Sequence, residues 1–122
     1  MILVDTSVWI DHFRKRDDRL SDLLEAVSVL THPFVIGELA LGSLARRDVV
    51  LDAMRGLPMA QSATPQEVEI LIERESLFGR GIGYVDTHLL AAARLQPGTA
   101  IWTRDRRLHE AAGRLGLTPR FV

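Results

Sequence analysis

The chain has 122 residues, a formal net charge of −1 and no cysteine. Its length predicts a single domain over residues 1–122, large enough to bury a core without crosslinks. The lack of cysteine excludes a disulfide framework and a thiolate metal site, and the near-zero charge excludes general binding of polyanions by bulk electrostatics. No apolar run is long enough to span a bilayer and no signal-peptide pattern is visible, so we predict a cytoplasmic protein without membrane association.

The first predicted element is a short buried strand over residues 2–4, which ends abruptly at Asp5. Two hydroxyl residues follow, and helical spacing of apolar residues begins at Val8. An acid at the carboxyl end of a buried strand lies where open α/β sheets place their sites. On this segment alone, the alternative that Asp5 or Thr6 only caps the next helix is equally good.

The segment from Pro33 to Leu44 is predicted to be a central, buried helix. A strand over residues 27–31 precedes it, proline suits a first helical turn, and apolar residues occur on nearly all its sides. Glu38 is its only charged residue. Because a glutamate inside an apolar helix is a poor solvent-facing residue, this acid also needs a functional explanation.

Strands and helices alternate along the rest of the chain. The pattern predicts helices over residues 20–27, 49–54, 65–78, 84–95 and 106–115, strands over 57–60 and 99–103, and a terminal strand over 117–122. Thr64 and Glu67 form the capping box of one of these helices. Such alternation predicts an α/β fold with a mostly parallel central sheet, helices on both faces and right-handed crossovers.

Four acids stand at the junctions of these elements: Asp5, Glu38, Asp86 and Asp105. A parallel sheet brings the three aspartates to one edge, and Glu38 lies within two helical turns of that edge. Carboxylates that converge in apolar surroundings repel one another, and a divalent cation relieves this repulsion. Oxygen ligands without cysteine favour Mg²⁺ or Mn²⁺ over zinc, and these ions serve phosphodiester hydrolysis. Two hydroxyls beside the acids, Ser7 and Thr103, are placed to orient a carboxylate or a bound water.

Four short motifs contain these acids. They are LVDTSVWI at residues 3–10, GEL at 37–39, VDTHLLAAA at 85–93 and WTRD at 102–105. In their order and spacing they resemble PIN-domain ribonucleases, most closely the short VapC-type toxins of bacterial toxin–antitoxin pairs. The resemblance covers the whole chain, and none of the four acid positions departs from it.

The resemblance implies a three-layer α/β/α PIN-like domain and an endoribonuclease that cleaves RNA with a metal-activated water. It implies that Asp5, Glu38, Asp86 and Asp105 bind one or two Mg²⁺ or Mn²⁺ ions and that the Thr103 hydroxyl supports them. Asp5 and Asp86 are expected to be the primary ligands, with Glu38 acting through water or in proton transfer and Asp105 outermost. A homodimer, and inactivation by a cognate antitoxin, are expected as in family members.

Basic residues flank the last acid. Arg104, Arg106 and Arg107 are therefore the predicted RNA-contact residues, because arginine suits bidentate recognition of phosphate. The alternative for these arginines is an ordinary solvated charged face. For the protein as a whole, the alternatives are a metal-dependent phosphatase or DNA nuclease on a similar sheet, and a non-catalytic PIN-like binding module.

Overall fold

A small parallel sheet forms the centre of the molecule. The computed structural model describes residues 1–121, and in this range three strands pair in the order β2-β1-β3. They are β1 (Ile2–Val4), β2 (Val29–Leu30) and β3 (Ala100–Trp102). Both pairings are parallel: Ile2 lies opposite Val29 on one side and opposite Ala100 on the other. The first strand of the chain is therefore the central one, and the residue after it lies at the middle of the sheet edge.

Seven helices occur between residues 1 and 121. They are α1 (Thr6–Arg14), α2 (Asp18–Glu25), α3 (Pro33–Leu41), α4 (Arg47–Arg55), α5 (Pro65–Arg74), α6 (Tyr84–Leu95) and α7 (Arg106–Arg114). Together with the sheet they form the predicted three-layer α/β/α fold. The predicted capping box is confirmed, since the Thr64 hydroxyl accepts from the Glu67 N–H and the Glu67 carboxylate accepts from the Thr64 N–H. None of the helices in this range is long and apolar enough to cross a membrane.

The core is built on β1 and α6. Leu3, Val4, Leu89 and Leu90 are fully buried, and α6 is buried continuously from residue 87 to residue 93. Burying a leucine side chain contributes about 1.5–3 kcal/mol relative to leaving it exposed. Asp5 directly follows β1 and Asp86 lies in the first turn of α6, so both positions adjoin buried elements of the core.

The prediction that α3 is a central, buried helix was wrong. Only Val35 and Leu39 are buried in it, while Leu41 is 90% exposed and Glu38 is also exposed. The central position belongs to α6, and α3 packs sideways on α1 and α4. An apolar face left open by the chain gives the same sequence pattern as a face buried in the core, so periodicity could not separate the two.

The predicted strand over residues 57–60 is reduced to one isolated parallel bridge, in which Thr31 lies opposite Met59. Thr31 N–H donates to the carbonyl of Pro58 at 2.9 Å, and Ala60 N–H donates back to the carbonyl of Thr31 at 2.8 Å. Pro58 has no N–H to extend the ladder, which is why the pairing stops there.

The other boundaries also shift. The strand predicted over 27–31 begins only at Val29, because Val27 has a left-handed backbone (φ +53°) that ends α2. The helix predicted over 65–78 ends at Arg74. Residues 117–121 form no strand, although the Ile101 N–H donates to the carbonyl of Leu117 at 2.7 Å; the last residue of that predicted strand, Val122, lies outside the described residues.

Candidate active site

The Asp5 carboxylate is buried and held by hydroxyl groups. Asp5 is 5% exposed, and its Oδ2 accepts hydrogen bonds from Ser7 Oγ and Thr103 Oγ1, each at 2.7 Å, and from the Ser7 N–H at 3.4 Å. All of these bonds fall on Oδ2. Within residues 1–121, Oδ1 accepts no hydrogen bond, so it is the oxygen left for a ligand.

The two hydroxyls predicted as supporting residues join the segments that follow β1 and β3. Ser7 Oγ also accepts from the Arg104 N–H at 3.0 Å, and Thr103 Oγ1 accepts from the Asp105 N–H at 3.0 Å. Each hydroxyl has one hydrogen, and both hydrogens point at Asp5 Oδ2, which suits a carboxylate that only accepts. The side-chain orientation of Asp5 is therefore fixed by a residue from each of two neighbouring strand ends.

Asp86 lies in the first turn of α6 and is partly buried. Burial raises the pKa of Asp86, the negative charges of Asp5, Asp105 and Glu38 add to the rise, and a backbone hydrogen bond from Gly83 opposes it, so that the pKa reaches about 6. Three of the acids predicted from the sequence thus act electrostatically on the fourth. This effect is the expected mark of carboxylates that converge on one site.

Glu38 and Asp105 lie at the exposed rim of this site. Glu38 Oε1 accepts from the Thr6 hydroxyl at 2.7 Å, and Asp105 Oδ1 caps α7 by accepting from the Leu108 N–H at 2.9 Å. The view that a solvent-facing role suits Glu38 poorly was wrong for the isolated chain. From the sequence, Thr6 was considered only as a possible helix cap; the one signal for a place in the site was its position between Asp5 and Ser7.

The donor chemistry of the site fits a hydrated Mg²⁺ or Mn²⁺ ion. Among residues 1–121, no three histidine or acidic side chains are close enough together to hold a metal ion by themselves. The raised pKa of Asp86 does not conflict with this, because charge repulsion acts over longer distances than a coordination bond. Mg²⁺ in proteins keeps several waters and is usually bound through one or two carboxylates. Asp5 Oδ1 and Asp86 supply that number, with oxygen atoms only.

The three predicted RNA-contact arginines have different surroundings. Arg104 is turned towards α1 and the start of α2, where its Nε is 2.7 Å from Asp11 Oδ2 and its Nη2 is 2.8 Å from Asp17 Oδ2. Backbone N–H donation from Leu20, together with this arginine, lowers the pKa of Asp17. Two carboxylates therefore already neutralise Arg104, and they tie the loop after β3 to α1 and α2.

Arg106 and Arg107 follow on α7. Arg106 is highly exposed and its Nε lies 3.5 Å from Glu110 Oε1. Arg107 packs against the backbone of Gly81 and lines a cavity together with Asp105. Of the three, only Arg107 combines a fixed position with a place beside a candidate site acid.

A model of the PIN domain matches residues 2–114, so the chain belongs to the PIN-domain family. Two relatives, each called "Ribonuclease VapC32", come from Mycobacterium tuberculosis strains CDC 1551 / Oshkosh and ATCC 25618 / H37Rv. Each is 50% identical to this chain over 117 residues, which cover 96% of this chain and 94% of the relative. The VapC-type resemblance seen in the four sequence motifs is thereby confirmed.

Proposed function

We propose that this protein is a Mg²⁺- or Mn²⁺-dependent endoribonuclease of the VapC type. One observation carries the proposal: Asp5 is locked through Oδ2 while Oδ1 stays open, beside an Asp86 whose pKa is raised to about 6. The name "Ribonuclease VapC32" of two relatives at 50% identity supports RNA as the substrate. The same site chemistry would also serve a phosphatase or DNA nuclease, so substrate choice needs a direct test.

In the proposed mechanism, Asp5 Oδ1 and Asp86 would hold the metal ion. When bound, a divalent cation polarises a phosphoryl oxygen and lowers the pKa of a coordinated water. Ser7 and Thr103 leave Oδ1 without a hydrogen bond, because both donate to the other oxygen at 2.7 Å. Above the pKa of about 6, Asp86 is mainly ionised and is ready to act as a ligand at neutral pH.

The rim acids have supporting roles in this proposal. Glu38, oriented by the Thr6 hydroxyl at 2.7 Å, is placed to bind water or to accept a proton from it. Asp105 uses one oxygen to cap α7, so its second oxygen is available to hold water at the outer side of the site. Asp105 should be the most replaceable of the four acids.

We also propose the partners expected for a VapC-type protein: an RNA substrate, a second copy of the chain and a cognate antitoxin in the cytoplasm. Two apolar surfaces support protein partners. Leu41 is 90% exposed on α3, and a groove of about 650 Å³ has a wall that includes Phe13, Leu39, Val49 and Val50. Apolar grooves between helices suit the apolar face of a partner segment.

The test compares wild type with Asp5→Asn on single-stranded RNA, single-stranded DNA and a phosphomonoester, each with Mg²⁺, Mn²⁺ or EDTA. Asparagine keeps an oxygen that accepts the two hydroxyl hydrogens but removes the charge. We expect wild type to cut RNA only with metal, and Asp5→Asn to be inactive with an unchanged circular dichroism spectrum. Asp52→Asn, which removes a highly exposed carboxylate on α4, is the matched control and should remain active.

Each alternative has its own outcome in this experiment. Preferred cleavage of DNA or of the phosphomonoester would favour the rival enzymes. No metal binding and no cleavage of any substrate would favour the non-catalytic module. Equal RNA cleavage by wild type and Asp5→Asn would contradict the proposed site.

A further inference from the structure

Several arginines line the surface beside Asp105, and two of them, Arg80 and Arg107, line both of its cavities. A cavity of about 220 Å³ and another of about 570 Å³ both have Arg80, Arg107 and Glu110 in their walls. The larger one also includes Asp105 and Arg106. A continuous surface therefore leads from the rim of the acid site to two guanidinium groups that come from different parts of the chain.

Arg107 is held in place by the backbone of Gly81. A Cβ atom added at Gly81 would lie 2.7 Å from Arg107 Nη1 and 2.9 Å from its Cζ, closer than real contacts allow. Gly81 also has φ +75°, a left-handed conformation that favours glycine. The guanidinium thus lies close against the loop before α6. Within residues 1–121 it forms no ion pair with a protein carboxylate.

Arg80 is anchored differently. Its Nε donates to the Ser76 carbonyl at 2.8 Å, which leaves the two terminal nitrogens free of hydrogen bonds to residues 1–121. Glu110 is the acid that lines both cavities, and its Oε1 lies 3.5 Å from Arg106 Nε. Arg80 and Arg107, called the arginine pair below, therefore keep donors for an external anion, in contrast to Arg104 with its two aspartate partners.

We infer that the arginine pair binds a backbone phosphate of the RNA strand next to the phosphate that is cut. This inference rests on the proposed ribonuclease function. Guanidinium groups bind phosphate oxygens through paired N–H donors, and their charge draws a polyanion towards a site that is otherwise lined by four carboxylates. Gly81 is a positioning residue in this arrangement, since its missing side chain is what lets Arg107 lie against the loop.

The test measures binding of a fluorescently labelled single-stranded RNA by anisotropy, in an Asp5→Asn background so that the RNA stays intact. Affinity for a single strand falls as salt rises, and each lost phosphate contact makes the slope of log affinity against log salt less negative by about 0.7. Arg80→Gln and Arg107→Gln should each show this change. Their loss of affinity relative to the parent protein is then about 2.5-fold larger at 50 mM salt than at 200 mM. Arg55→Gln removes the same charge from an exposed position on α4 and should leave the slope unchanged.

A second pair of variants separates position from charge. Gly81→Ala keeps the net charge but displaces the Arg107 guanidinium, so its salt slope should change as in Arg107→Gln. Gly79→Ala is the matched control: Gly79 lies in the same loop with φ +71° and has no atom within 4 Å of an added Cβ. Both alanine variants bear similar backbone strain, and only the first should lose RNA binding.

The inference is overturned if Arg80→Gln and Arg107→Gln show the slope of Arg55→Gln, or if Gly81→Ala binds RNA like Gly79→Ala. Failure of the proposed function looks different, because wild type would then lack metal-dependent RNA cleavage. If wild type cleaves RNA and the arginine variants keep the salt slope of the parent protein, only the inference about the arginine pair is rejected, and the proposed function stands. Urea unfolding of every variant identifies any that has lost its fold.

Discussion

Replacing Asp86 by asparagine should stabilise the metal-free protein while abolishing its proposed activity. Asp86 has a pKa of about 6 in the folded chain, against an ordinary value of 3.8, because burial and three neighbouring acids disfavour its charge. Between these two pH values the folded state binds more protons than the unfolded state. The free energy of unfolding therefore falls as pH rises through this window and stays low above it. Asparagine removes this charge at every pH.

The size of the gain follows from the two pKa values. The difference between about 6 and 3.8, at about 1.4 kcal/mol per pH unit, sets a ceiling of about 3 kcal/mol. Asp86 is only partly buried, so solvent screens part of the repulsion. We expect Asp86→Asn to raise the free energy of unfolding by about 1–2 kcal/mol at pH 7.5 in EDTA.

The assay is urea unfolding of wild type and Asp86→Asn at pH 7.5 and pH 4, each in EDTA. At pH 4 the folded wild type carries a protonated Asp86, so most of the difference should vanish. Adding Mg²⁺ at pH 7.5 should stabilise wild type more than the variant, because only wild type keeps the full ligand set. An Asp86→Asn protein that gains nothing at pH 7.5, or gains equally at pH 4, would refute the electrostatic reasoning. Asp52→Asn, an exposed carboxylate paired with Arg55, should gain nothing at either pH.

Two further substitutions test the segment after β3. Thr103→Val removes the 2.7 Å hydrogen bond to Asp5 and should slow metal-dependent cleavage about 10- to 100-fold. Thr103→Ser keeps the hydroxyl and should retain most of the wild-type rate. Single-turnover rates measured against Mn²⁺ concentration test this, and an unchanged rate in Thr103→Val would contradict it. Arg104→Gln loses its pairs with Asp11 and Asp17, which are partly exposed, so urea unfolding should show a loss of at most about 1 kcal/mol. Its RNA salt slope should equal that of wild type, and a less negative slope would mean that Arg104 contacts phosphate.

Local pattern was enough to predict the elements that carry the two main acids. A β-branched run that stops at Asp5, and an alanine-rich helix that contains Asp86, are buried elements with an acid at one end, and both properties are visible in a few consecutive residues. The parallel arrangement followed from alternation, because parallel strands need a long crossover. That residues 1–122 form a single domain stays a prediction.

Properties that depend on distant partners were beyond the sequence pattern. Nothing near Arg104 indicated that Asp11 and Asp17 would neutralise it, since this pairing needs α1, α2 and the end of β3 to meet. Likewise, the exposed face of α3 has the apolar composition of a buried face. The exposure of Leu41 becomes visible only in the three-dimensional structure. The sequence indicated which residues are candidates for the site but not which oxygen of Asp5 is without a hydrogen bond.

The central position of β1 in the sheet has a consequence for folding during translation. Thr103 donates a hydrogen bond to Asp5 across a sequence separation of 98 residues. In the same way, β1 pairs with β3 only after the intervening chain has been synthesised. Pairing over such a distance is slow and comes late in folding. A ribosome must therefore translate nearly the whole described chain before the first carboxylate acquires its orientation. Partly synthesised chains would carry every residue of the opening motif yet lack the proposed site, so the proposed activity would begin only when translation is nearly complete.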